Sequence, residues 1–173
     1  LASNTTGADN VGVGLNALAS NTIGQATTAL GYGTLEASTT GSNNTAVGFG
    51  ALRTNSIGQY NTALGRLSLR SNTTASFNTA VGYESLNLNT IGQQNTAVGS
   101  YALKANTTGG YTVAVGYNAL LNNTTGYDNN AIGSQALYKN TIGLGNNAMG
   151  YWALKENTTG GYNIAIGGNA MYL

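Results

Sequence analysis

Five carboxylates, Asp9, Glu36, Glu84, Asp128 and Glu156, and six cations, Arg53, Arg66, Arg70, Lys104, Lys139 and Lys155, carry almost all the acid and base chemistry of this 173-residue chain. Histidine and cysteine are absent, so there is no imidazole base, thiolate nucleophile, disulfide or thiolate metal site. Acid and base roles need two groups close to one reacting bond. The five carboxylates instead fall in different copies of an internal repeat. An enzyme is not expected, and no catalytic, cofactor-binding or metal-binding residue is assigned. Gly7-Ala8-Asp9-Asn10 and Gly126-Tyr127-Asp128-Asn129 share a phase but lie seven copies apart. A calcium ladder requires acidic oxygens in neighbouring coils, so both aspartates are read as turn residues.

The aromatic residues are the next candidates. Tyr32, Phe49, Tyr83, Tyr117 and Tyr151 follow a recurring glycine, whereas Tyr60, Phe77, Tyr111 and Tyr162 precede the segment that leads to the next one. Such rings can cover a thin core or fill contacts between chains. They can also form a carbohydrate-contacting surface, for which Tyr151 and Trp152 are the first candidates. Adjacent residues of a strand face opposite ways, so these two are not required to cooperate.

The elements that must position these side chains follow from a strict period of 17 residues. The recurring glycine falls at Gly14, Gly31, Gly48, Gly65, Gly82, Gly99, Gly116, Gly133, Gly150 and Gly167, without insertion or deletion. Counted from four residues before it, the consensus is N-T-A-V-G-x-x-A-L-x-x-N-T-T-G-x-x, with positions one to seventeen. Position four is always aliphatic, from Val13 to Ile166; position nine is Leu in every copy but the last, which has Met171; position three is Ala except at Gly12. Position twelve is Asn except at Ser38, and position fifteen is Gly except at Ala75. Self-similarity at so short a period marks a stacked array in which each unit buries its apolar groups against the next.

In an extended T-A-V-G segment, Thr45 and Val47 share one side and Ala46 and Gly48 the other. The β-branched residues favour strand, and the frequent glycines disfavour helix by about 1 kcal/mol each. Asn-Thr-Thr-Gly reads as a turn, with Asn and Gly in left-handed conformations. The expected fold is all-β, a parallel β-solenoid or β-roll of ten 17-residue coils. Its columns of Val, Leu and Ala are expected to form a thin core. The Asn column from Asn21 to Asn157 is expected to exchange amide hydrogen bonds between coils, with Ser38 as the weak rung. Small residues at positions three and five let another wall approach. That wall belongs either to the same flattened coil or to a second chain, and a homotrimer is the favoured expectation.

Only 6% of the residues are charged and the net charge is +1. The cations are scattered, so no basic stripe exists to neutralise phosphates, and nucleic acid is not an expected partner. No apolar run approaches the ~18 residues of a membrane span, and membrane insertion is not expected either. Residues 1–173 read as one uninterrupted array, expected to be a fragment or subunit of a longer fibre.

The N-T-A-V-G-x-x-A-L units resemble the short N-S-x-A-I-G-like repeats in the heads of trimeric autotransporter adhesins. They look closer still to the N-T-A-V-G-Y-N-A-L arrays of phage tail-fibre-like and large bacterial surface proteins. The resemblance covers all ten repeats, and the 17-residue period and recurrent leucine depart from the adhesin pattern. It implies a self-associating structural module of an extracellular fibre, on a cell surface or a virion, as a homotrimer or filament. The alternative is an adhesive segment that contacts cell-surface glycans. A third reading, ice binding, needs threonines at i and i+2 on one face. The regular threonines instead stand at adjacent positions thirteen and fourteen, where Ile23, Ile57, Ile91 and Ile142 interrupt the second column.

Overall fold

The computed structural model describes residues 1–172, and Leu173, the last residue of the array, lies outside the described residues. Each T-A-V segment forms a three-residue strand: β1 (Val11–Val13), β2 (Thr28–Leu30), β3 (Thr45–Val47), β4 (Thr62–Leu64), β5 (Thr79–Val81), β6 (Thr96–Val98), β7 (Val113–Val115), β8 (Asn130–Ile132), β9 (Asn147–Met149) and β10 (Ile164–Ile166). All ten lie in one parallel sheet in sequence order. The register is fixed by the repeat, with Thr45 opposite Thr62, Ala46 opposite Ala63 and Val47 opposite Leu64. The chain is therefore a parallel β-solenoid with about 17 residues per coil.

Backbone bonding between coils continues well beyond the strands. In the third coil, Gly50 N–H donates to the Tyr32 carbonyl at 2.9 Å, Leu52 N–H to Ser68 at 3.0 Å and Ser56 N–H to Thr73 at 2.8 Å. Two tight turns, closed by Ala51 N–H to Gly48 O at 3.3 Å and Asn55 N–H to Leu52 O at 3.2 Å, carry the chain around the corner after each strand.

The interior contains leucines from position nine, alanines from positions three and eight, and two polar columns. Leu18, Leu35, Leu52, Leu69, Leu86, Leu103, Leu120 and Leu137 are fully buried, as are Ala29, Ala46, Ala63, Ala80 and Ala97. The expectation that the position-four aliphatics share this core is corrected. Val13, Leu30, Ile132 and Met149 are exposed, and Val47, Val81 and Val115 are only half-buried. Strand alternation sends one side chain inward and its neighbours outward, and the narrow coil admits the alanine rather than the valine. The alanine wall is thus covered by the chain's own coil.

The interior asparagines form the expected ladder. Asn72 Nδ2 donates to Asn55 Oδ1 at 2.8 Å, Asn89 to Asn72 at 3.0 Å, Asn106 to Asn89 at 2.8 Å and Asn123 to Asn106 at 2.9 Å. A second buried column at position one runs beside it, where Asn61 N–H donates to Asn44 Oδ1 at 2.9 Å and Asn78 N–H to Asn61 Oδ1 at 3.0 Å. Both columns converge on the carbonyl of position fifteen, and Gly58 O accepts from Asn44 at 2.8 Å and from Asn55 at 3.0 Å. At Ser38 the ladder breaks, leaving Asn21 Oδ1 and Ser38 Oγ buried without a partner.

The left-handed residues of the turn are not where the sequence reading places them. Positive φ occurs at positions seven, nine and seventeen, as at Glu84 (52°), Leu86 (50°) and Gln94 (57°), and at the glycine of position five. Neither the Asn nor the Gly of Asn-Thr-Thr-Gly adopts it. The asparagine is committed to the ladder. The glycine answers to close approach, since a Cβ on Gly41 would stand 2.6 Å from the Gly58 carbonyl oxygen.

Candidate functional surface

Because the interior is filled, every candidate site lies on the outer surface, and the corner formed by positions six, seven, ten and eleven holds most of the charges and many of the rings. Three of the five carboxylates are engaged by a cation of a neighbouring coil: Glu36 with Arg53 at 2.7 Å, Glu84 with Lys104 at 2.8 Å and Glu156 with Lys139 at 2.6 Å. Asp9 and Asp128 have left-handed backbones with φ of 57°, consistent with turn residues. Among the described residues no three acidic side chains come together as a metal site would need.

The densest polar arrangement spans the fourth to seventh coils. Arg66 Nη1 donates to Tyr83 Oη at 3.1 Å. Glu84 is held below the usual carboxylate range chiefly by its hydrogen bond from Lys104, with a further contribution from Tyr83. The hydrogen bond to Glu84 is also the main cause that raises the Tyr83 phenol above its ordinary value. Lys104 stands 4.9 Å from the Tyr101 ring centroid, within range of a cation–π contact. Tyr101 meets Tyr83 edge-on at 5.1 Å and Tyr117 at 6.3 Å. Beside it lies an open groove of about 420 Å³, bounded by Leu88, Tyr101, Lys104, Tyr117, Asn118 and Leu121 among others.

Tyr151 and Trp152, the pair singled out from the sequence, do come together. Their rings stack at 4.5 Å with an interplanar angle of 21°. Strand alternation does not separate them because they lie in the turn after β9, and Trp152 has φ of 61°. Lys155 Nζ stands 3.8 Å from the indole centroid, and Tyr172 lies 5.6 Å away. The indole is therefore partly covered, while Tyr151 remains half exposed. Other rings pair between neighbouring coils, Tyr32 on Phe49 at 5.2 Å and Tyr60 on Phe77 at 5.1 Å.

The Tyr101 groove is the feature that sequence reasoning missed. Its signal is nonetheless present: Leu88 and Leu121 stand at positions eleven and ten, where other copies carry charges. Position seven of one coil and position six of the next are neighbours only once the stack is assembled.

The threonines divide into two classes. At position thirteen the hydroxyls are turned to the next coil, as Thr90 Oγ1 donates to Thr107 O at 3.0 Å and Thr107 Oγ1 to Thr124 O at 3.1 Å. Those at position two, Thr28, Thr45, Thr62, Thr79 and Thr96, lie on the outer side of the sheet beside the position-four aliphatics. Comparison with protein-family models, curated proteins and solved structures gives no match.

Proposed function

We propose that this chain is a structural module of an extracellular fibre, such as a tail-fibre or surface-appendage shaft, and that it self-associates as a homotrimer or filament. The observation that carries this reading is the unbroken register of ten parallel strands, in which each coil is hydrogen-bonded to the next on its strand side and around its turns. Load along such a stack is shared by many bonds per layer, and few loops are offered to a protease. Electron microscopy of the purified protein tests it: rods or filaments of uniform width are expected, and globular particles would sink the reading.

A second reading is favoured by the exposed aromatic corner, an adhesive segment that contacts cell-surface glycans through Tyr151 and Trp152. The half-exposed Tyr151 ring resting on Trp152 supports it. A glycan array separates the two. Binding lost in a Tyr151→Ala and Trp152→Ala variant supports adhesion, while silence beside persistent filaments supports the shaft.

A further inference from the structure

The outer side of the sheet is an uncharged wall that the chain's own coils leave uncovered, an aliphatic column at position four beside a column of mostly threonine and asparagine at position two. Positions two and four project from it in every strand, and all eleven charged side chains lie elsewhere in the repeat. We infer that this wall is the surface through which a second copy of this chain docks, an inference that rests on the self-association proposed above.

Three observations favour a second copy as the occupant. The first is area: ten strands spaced by about 4.8 Å, with two outward side chains each, make a face of roughly 48 by 12 Å. Two such faces together bury about 1,200 Å², at the lower bound of a stable specific interface. The second is the absence of charge, so docking desolvates no ion, and the threonine hydroxyls and asparagine amides of position two can hydrogen-bond to their counterparts across the interface. The third is self-complementarity. Both partners carry ridges at the same coil spacing, so register achieved at one coil is kept at all the others. A groove of about 230 Å³ lined by Asn130, Ile132, Asn147, Ala148, Met149 and Ile166 shows the furrow between the two columns. Side chains of an opposing sheet would fill it at the usual face-to-face separation of about 10 Å. Apart from Ala148 at the floor of that groove, the alanine column takes no part, because it is already buried within the coil.

Light scattering coupled to size exclusion, with circular dichroism of the same samples, tests the inference. The unmodified protein is expected to assemble. A Val81→Lys and Val98→Lys variant, with both changes on outward side chains, is expected to keep its β-spectrum and run as a monomer. An Ile57→Lys and Ile91→Lys variant, placed in the exposed position-fourteen column, is expected to assemble as before. A folded Val81→Lys and Val98→Lys variant that still assembles overturns the docking face while leaving self-association standing. An unmodified protein that is monomeric overturns both, and thermal hysteresis from that monomer would identify ice as what the wall meets. Should the lysine variant lose its fold, single cysteines decide. Val98→Cys is expected to cross-link copies under oxidation and Ile91→Cys is not, and the reverse pattern overturns the inference.

Discussion

Two kinds of positive φ coexist in each coil, and they constrain residue type very differently. Leu86, Glu84 and Gln94 have φ near 50–57°, the small left-handed region that an L-residue can enter at a cost of about 1–2 kcal/mol. Gly82 has φ of 131°, which only glycine occupies without severe strain. A Cβ there would also stand 2.6 Å from the Gly99 carbonyl oxygen. Gly82→Val is therefore expected to destabilise the fold by more than about 3 kcal/mol, strain and clash together. A chemical denaturation midpoint equal to that of the unmodified protein would contradict this. The opposite change is available at Ser38, where two buried oxygens lack partners. Ser38→Asn restores the rung between Asn21 and Asn55 and is expected to stabilise by roughly 1–3 kcal/mol. A rise in denaturation midpoint measures it. The sequence shows Ser38 as the defect of its column, since only column identity is needed. It gives no sign that the leucine of position nine is left-handed, whereas Asn16, Gly33, Gly50 and Asn118 at position seven and Asp9, Asn43, Asp128 and Gly145 at position seventeen do carry one, diluted by the other residue types in those columns.

At the scale of one strand, the period of two is legible in T-A-V, and so is the pairing of each strand with its counterpart one repeat away. Which side faces inward is not. Large aliphatics usually lie inside, and that expectation favours valine over alanine. The closed coil reverses it, because the leucine of position nine already fills the interior and leaves depth only for a methyl group. The two sides therefore tolerate substitution differently. Ala97→Val is expected to overpack the interior and cost about 1–3 kcal/mol. Val98→Thr, one residue further along β6 and outward, is expected to change stability by no more than about 0.5 kcal/mol. Thermal unfolding of both variants in dilute solution, where association between copies does not contribute, distinguishes them. Equal losses would return the valine to the core. The aromatic groove at Tyr101 was hidden for a related reason: its walls come from residues about one repeat apart, adjacent only across the stack.

For the whole molecule, the same property that makes the fold readable makes it divisible. Each layer bonds only to its immediate neighbours, so stability is approximately a sum of coil and interface contributions. Removing residues 95–111, one full period, is expected to leave the β-spectrum per residue unchanged and to shorten the particle by about 4.8 Å. Small-angle scattering reads that change in length. Removing residues 95–110 is one residue short of a period and forces leucine, asparagine and glycine columns out of line, so a marked loss of cooperative melting is expected. Indifference to that one-residue difference would show that the columns are not what holds the layers together.

The uniform register carries one more implication, for how such a gene can change. Near-identical tandem units invite unequal recombination, which adds or removes whole periods. In most proteins an event of that kind ruins the core. In this one it splices a finished layer onto another finished layer, so the number of units works as a ruler that heredity can reset without redesigning anything.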